Sequence, residues 1–381
     1  MKKATRFVGL DVHADTIAVA VAEAGRDGEV RSLGIIPNRP DAVRRLVQKL
    51  GGNKGVKACY EAGPTGYALY WELEKLGIEC IVVAPTLVPT KSGERVKTDR
   101  RDATKLARCY RAGELTAVWV PDPAHEALRD LVRARESAKK DQLRARHRLS
   151  KFLLRNGRRP PKDVGAWTQD HMTWLRAQKF EQPAQEVTMI DYLAEVDHAA
   201  ARIDRLEQAI HEAAAAAPPT LSKVIAGLQA LRGIGKIVAT TLAVEVGNFS
   251  RFPHPKQLMA YSGATPSEYS SGKRRVQGAI TKTGNSHVRR VLFEAAWSYR
   301  HRPSNGKALS QRQRGVAEPI KELAWKAQHR LHRRYAALAA KGKPLQKVIT
   351  AIGRELLGFV WAIATRIEQE QTTTKTKALA A

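Results

Sequence analysis

The chain has 381 residues and a formal net charge of +28, from 65 Lys and Arg against 37 Asp and Glu. That length allows two or three domains with a sizeable core, and that charge selects polyanions, chiefly nucleic acid, as partners without bearing on the fold. Three scattered cysteines, Cys59, Cys80 and Cys109, exclude a disulfide framework and point to a reducing cytoplasm.

In chain order, RFVGLDVHADTIAVAVAEAG (6–25) holds two β-rich runs around a turn-like DVHAD and reads as a hairpin or meander. Asp11, His13 and Asp15 interrupt its apolar run, so a signal peptide is not expected. RSLGIIPN (31–38) is a third strand. Asp41 caps an amphipathic helix that stops at Gly51-Gly52. VKACYEA (56–62) is a buried strand, 66–77 a helix, 78–85 a strand, and KTDRRDATKLARCYRAG (97–113) a helix ending at Gly113. This order predicts an α/β domain over 1–120, a mixed sheet flanked by helices. Residues 121–218 change character. Leu131, Ala138, Ala145 and Phe152 recur every seven, as do Met189, Val196, Ile203 and Ile210. The pattern predicts an antiparallel coiled-coil hairpin or an oligomerisation helix, with a plain helical bundle fitting almost as well. Residues 219–370 read as a mainly α-helical domain, and 371–381 as a frayed tail. No uncharged apolar run approaches the roughly 20 residues that span a bilayer, so no membrane partner is expected. Charge is uneven: 16 basic and 12 acidic side chains in residues 1–100, 21 and 4 in residues 251–350.

Three constellations carry chemistry. The first is four carboxylates: Asp11 after the first strand, Glu61 at the end of the fourth, and Asp99 and Asp102 one turn apart at a helix start, among Lys97, Arg100 and Arg101. Acids from separate elements can hold divalent cations, and two such ions stabilise the attacking and leaving oxygens of phosphodiester cleavage. Singly, each has a plain reading: a turn residue, a strand terminator, acids favoured by the helix dipole. Asp15 competes with Asp11, which is preferred because it directly follows the strand. His13 reads as a polar turn residue rather than a ligand. The second constellation is LRGIGKIVAT (231–240), where Gly233, Gly235 and Lys236 resemble a helix-hairpin-helix turn that meets phosphate without reading sequence; an ordinary glycine-capped turn is the alternative. The third is residues 261–297, where Ser270, Ser271 and small residues mix with Lys273, Arg274, Arg275, Lys282, Arg289 and Arg290. A serine flanked by cations can be a nucleophile, although composition alone favours a phosphate-binding loop.

Together, FVGLDVHADTIAVAV, YEAGPTGY, ERVKTDRRDATKLA and the run from LRGIGKIVATT to GNSHVRRVLFEAA resemble the DEDD-type insertion-sequence transposases, insertion-sequence family one hundred and ten, related to the Piv DNA invertases. The resemblance covers about 5–120 and 220–365. It implies a RuvC-like, ribonuclease-H-type N-terminal domain whose DEDD acids are Asp11, Glu61, Asp99 and Asp102, holding Mg²⁺, two ions per site. It implies a C-terminal domain with a recombination serine, aligned with Ser271 and with Ser270 one residue away. It further implies a composite site between subunits of a dimer or tetramer, donor and target DNA as substrates, and a noncoding bridge RNA from the element as guide. The expected function is a DNA recombinase. No GxxxxGK[ST] loop is present, as suits exchange that conserves phosphodiester energy. The rivals are a RuvC-like junction or structure-specific endonuclease using metal-activated water, and a non-enzymatic nucleic-acid-binding protein.

Overall fold

The computed structural model describes residues 5–25, 27–89, 98–272 and 274–380, with residues 374–380 described by their backbone alone. The chain divides into two compact units, Met1–Val120 and Pro121–Ala381.

The first unit is built on a five-stranded sheet. Its strands are β1 (Arg6–Val12), β2 (Thr16–Glu23), β3 (Val30–Pro37), β4 (Val56–Glu61) and β5 (Glu79–Val83), in the order β3-β2-β1-β4-β5. β1, β2 and β3 are antiparallel neighbours, whereas β4 runs parallel to both β1 and β5. The hairpin and the mixed sheet are as the sequence predicts. Alternation along the strands sorts side chains to two faces. Val8 and Leu10, Ile17, Val19 and Val21, and Ala58 and Tyr60 join one core with the apolar sides of α1 (Pro40–Lys49) and α2 (Ala68–Lys75). The other face is made of small residues, Ala18, Ala20 and Ala22, with Cys59 beyond them, and carries α3 (Asp99–Ala112) through Ala103, Leu106 and Ala107. α3 ends at Gly113 in the left-handed conformation, its N–H donating to the Tyr110 carbonyl.

In the second unit, α4 (Pro123–Arg155) and α6 (Pro183–Ala216) flank the short α5 (Gln169–Arg176). Ion pairs Arg135–Glu207, Arg202–Asp141 and Arg148–Glu195 link α4 and α6. Position rises on α4 as it falls on α6, so the pair is antiparallel. The heptad residues Ala138, Ala145, Phe152, Met189, Val196, Ile203 and Ile210 are buried. α7 (Pro219–Leu228), α8 (Lys236–Val246), α9 (Pro255–Tyr261), α10 (Ser286–Ala296), the short α11 (Lys307–Arg312), α12 (Glu318–Ala339) and α13 (Leu345–Ala380) follow, with a hairpin of β6 (Pro266–Glu268) and β7 (Gln277–Ile280) between α9 and α10. The expected boundary near 218 does not separate units. Leu128 and Val132 of α4 and Ile210 and Ala214 of α6 share one core with α7, α8, α10, α12 and α13. The tail also differs from expectation, because α13 stays helical to Ala380. Over Leu345–Thr373 this helix is long and apolar enough to cross a bilayer, but its Val348, Ile352, Leu356, Val360 and Ile363 are fully buried in the core of the unit.

Candidate active site

The parallel pairing of β1 and β4 ends at Leu10 opposite Tyr60. Asp11 and Glu61 follow that pair directly, so both acids stand at one edge of the sheet. They also belong to its α3 face. Gly9 lies against the α3 backbone and the Cys59 thiol donates to the Leu106 carbonyl at 3.6 Å, and Asp11 and Glu61 are each two residues further along. α3 begins beside them. The Thr98 side chain accepts from the Arg101 N–H at 3.3 Å, a helix cap. Asp99 and Asp102 fill the first turn, where the helix dipole favours negative charge.

His13 lies in the turn between β1 and β2, as its sequence context suggests, but its ring is not a bystander. Nε2 is 3.4 Å from Asp11 Oδ2 and 3.5 Å from Asp99 Oδ1. One ligand atom from each of Asp11, His13 and Asp99 lies within 4.8 Å of the others. The overlooked signal is the spacing: residue 13 stands two places after residue 11, where an extended chain returns a side chain to the same face. Asp15 offers its backbone instead, its carbonyl accepting from the Asn38 N–H at 2.8 Å.

Burial raises the Asp11 carboxyl above its ordinary value; His13 pulls it back, and the charges of Asp102 and Asp99 push it up again. A half-buried carboxylate among other carboxylates is an environment that a cation relieves. The donors are chiefly hard oxygens, so Asp11, Glu61, Asp99 and Asp102 fit a divalent ion by chemistry. Along α3, Arg100, Arg101, Thr104, Lys105 and Arg108 line a cleft of about 1670 Å³. Acids and cations thus occupy different sides of one helix. Lys97 lies outside the described residues, as does Lys273.

The remaining candidates lie in the second unit. Ser271 sits at the tip of the β6–β7 hairpin, its N–H and carbonyl exchanging hydrogen bonds of 3.1 Å with Arg274. The Ser270 hydroxyl donates to Glu268 Oε1 at 2.9 Å, and Gln277 and Arg275 hold the same carboxylate. Among the described residues the Ser271 hydroxyl makes no hydrogen bond. Arg274 and Lys282 are exposed.

Some of the candidate phosphate contacts, Gly233, Arg289 and Arg290, have partners within the fold. A Cβ on Gly233 (φ +80°) would stand 2.4 Å from the Ala295 carbonyl, so the close approach at this glycine is to the end of α10. Gly235 caps α8 in open space, with Lys236 beside it half-exposed. Arg289 donates to the Ser262 carbonyl at 2.7 Å, and Arg290 pairs with Glu294 and Glu136. Asn285 both caps α10, accepting from the Val288 N–H at 3.0 Å, and donates to the buried Glu245 at 2.8 Å. Charge density along the sequence cannot distinguish such internal pairs from free cations.

Comparison with known proteins covers both units. Residues 8–156 match a DEDD-type transposase family, and residues 226–311 match the Transposase IS116/IS110/IS902 family. A putative transposase, y4qE, of Sinorhizobium fredii is 46% identical over 370 residues, 96% of this chain and 90% of its own length. The transposase for insertion sequence element IS1533 of Leptospira borgpetersenii is 31% identical over 350 residues, 90% and 99% of the two chains. A pilin gene-inverting protein of Moraxella bovis is 26% identical over 276 residues, 71% and 67%. Both units therefore match, and the acids at the sheet edge stand inside the matched DEDD region: the chain belongs to the IS110/IS116 family of transposases.

Proposed function

We propose that the protein is a DNA recombinase of an insertion sequence that cleaves and exchanges strands with a metal-dependent acid site and a serine nucleophile. The observation that carries this reading is that Asp11 and Glu61 end neighbouring parallel strands on the face that meets α3, and that Asp11 stands close to Asp99 in the first turn of α3. Asp11, Glu61, Asp99 and Asp102 would hold a divalent cation such as Mg²⁺, which would supply charge stabilisation at the phosphate oxygens. Ser271 is the nucleophile in preference to Ser270, because the Ser270 hydroxyl is engaged with Glu268 whereas Ser271 is exposed in a turn whose backbone bridges to Arg274. Its oxygen forms a bond to phosphorus, the P–O3′ bond breaks, and the proton passes to the departing 3′ oxygen. A 3′-hydroxyl of the partner strand then attacks the phosphoserine, and serine recovers its proton. Phosphodiester energy is conserved and no nucleotide is consumed.

The antiparallel α4–α6 pair suits a coiled coil that joins subunits, and the turn between α7 and α8 suits a helix-hairpin-helix contact to phosphates. Donor and target DNA, a guide RNA from the element and a second subunit complete the assembly, in the cytoplasm. The test is a recombination assay with the purified protein, a donor–target DNA pair and RNA transcribed from the flanks of its gene. Wild type should leave a protein–DNA adduct on a denaturing gel, and Ser271→Ala should leave none. An alanine variant that still cleaves at the wild-type rate would replace the serine mechanism with a water-using nuclease.

A further inference from the structure

We propose that His13 is itself a metal ligand, and that its imidazole makes the site prefer Mn²⁺ to Mg²⁺. The inference rests on the reading that the acids hold a metal and goes beyond it by adding a nitrogen donor. Three observations support it. First, the turn fixes the residue from both sides. The His13 N–H donates to the Thr16 carbonyl at 2.8 Å, and the Asn38 side chain donates to the His13 carbonyl at 2.8 Å. Second, β1 places Asp11 on the face that meets α3, His13 follows it in the turn, and Gly9 on that face lets the α3 backbone approach, carrying Asp99 to them. Third, the spacing suits a shared ion. Donors about 2.1 Å from one cation stand roughly 3.0–3.4 Å apart, depending on octahedral or tetrahedral geometry. The Nε2 separations from the two carboxylates are 3.4 and 3.5 Å.

A nitrogen donor changes which ion is favoured. Mg²⁺ is satisfied by carboxylate oxygens and water, whereas imidazole adds affinity for first-row transition ions. The experiment uses the untagged full-length protein and Mn²⁺ as the probe, with Mg²⁺ as competitor. Bound Mn²⁺ is counted by loss of the free-ion electron paramagnetic resonance signal, and its ligands are read by electron spin-echo modulation. Wild type should bind Mn²⁺ at least about tenfold more tightly than Mg²⁺ and show nitrogen modulation. His13→Asn should lose that modulation and about tenfold in Mn²⁺ affinity, with Mg²⁺ affinity changed by less than about twofold. The chain has 11 histidines, so the assignment rests on the difference between wild type and His13→Asn. If Asp11→Asn abolishes binding while His13→Asn binds both ions as wild type does, His13 is no ligand and the acid site stands alone. If wild type binds no more Mn²⁺ than Asp11→Asn, the metal reading itself falls, and this proposal with it.

Discussion

Gly9 sets the distance between the sheet and the helix that carries Asp99 and Asp102. A Cβ there would lie 2.2 Å from the Ala103 carbonyl and 2.5 Å from the Ala107 nitrogen. Both obstacles are backbone, so α3 as a whole must move. Gly9→Ala is expected to lower stability by about 1–3 kcal/mol, read as a shift in the urea midpoint, and to weaken the proposed metal binding as Asp99 leaves Asp11. An unchanged midpoint would show that α3 does not rest on this strand as described. At this scale the placement of the acids is legible in the sequence and the partners of the cations are not. Asp11 and Glu61 are legible because each follows an apolar run near the end of its strand, and Asp99 and Asp102 because they open a periodic helix. His13 is harder, since the two-residue spacing gives only a face and the hydrogen bonds of the turn decide where the ring goes. Arg289 and Arg290 look like phosphate ligands in a basic run, yet one holds the Ser262 carbonyl and the other two carboxylates. The Ser262 carbonyl is backbone and Glu136 is distant in sequence, where composition carries no signal; only Glu294, four residues from Arg290, is a pairing that helical spacing shows.

Between elements, a polar network around two buried carboxylates joins α4 to α8 and α10. Arg133 of α4 holds Glu245 of α8 through two hydrogen bonds, of 2.7 and 2.9 Å. Glu136 of α4 accepts from His287 at 2.6 Å and also meets Lys140 and Arg290. Burial by itself raises the Glu136 carboxyl, but these cationic and hydrogen-bonding partners outweigh it and hold the value at about 2, against an ordinary 4.5. A depressed carboxylate stabilises the fold above its unfolded value and ceases to do so as pH falls through its folded value. Glu136→Gln is therefore expected to cost about 3 kcal/mol at neutral pH, with the gap to wild type closing between about pH 5 and pH 2 in urea titrations. A gap independent of pH would contradict this account of the network. Of the long helices, α4 and α6 are legible from their heptads, since burial at positions such as Ala138, Ala145, Val196 and Ile203 follows the seven-residue repeat. The β6–β7 hairpin is not. Its strands are three and four residues long and mostly exposed, so they lack the apolar alternation by which strands are recognised. The tail misleads for the opposite reason, because QTTTKTKALAA looks unstructured but continues an established helix to Ala380, where propagation is cheaper than a new start.

At the scale of the whole molecule, the acids and the serine belong to different compact units. The first unit is nearly balanced in charge and offers an acid cluster; the second carries most of the positive excess and offers an exposed serine. A polyanionic substrate bound by the basic unit still has to meet the acids, and the proposed assembly supplies them from a second subunit. That arrangement has a consequence that stability or binding measurements do not reach. Asp102→Ala and Ser271→Ala proteins, each inactive alone, are expected to regain recombination when mixed and allowed to exchange subunits. In a symmetric dimer with equal amounts of each, about a quarter of the composite sites pair intact acids with an intact serine. The recovered rate should therefore approach about one quarter of the wild-type rate at the same total protein. If each chain used its own acids with its own serine, no mixed assembly would contain a complete site, and the mixture would stay as inactive as either variant. Because both variants retain their surfaces and their charge distribution is almost unchanged, recovery would locate the chemistry between subunits and leave DNA binding common to both outcomes.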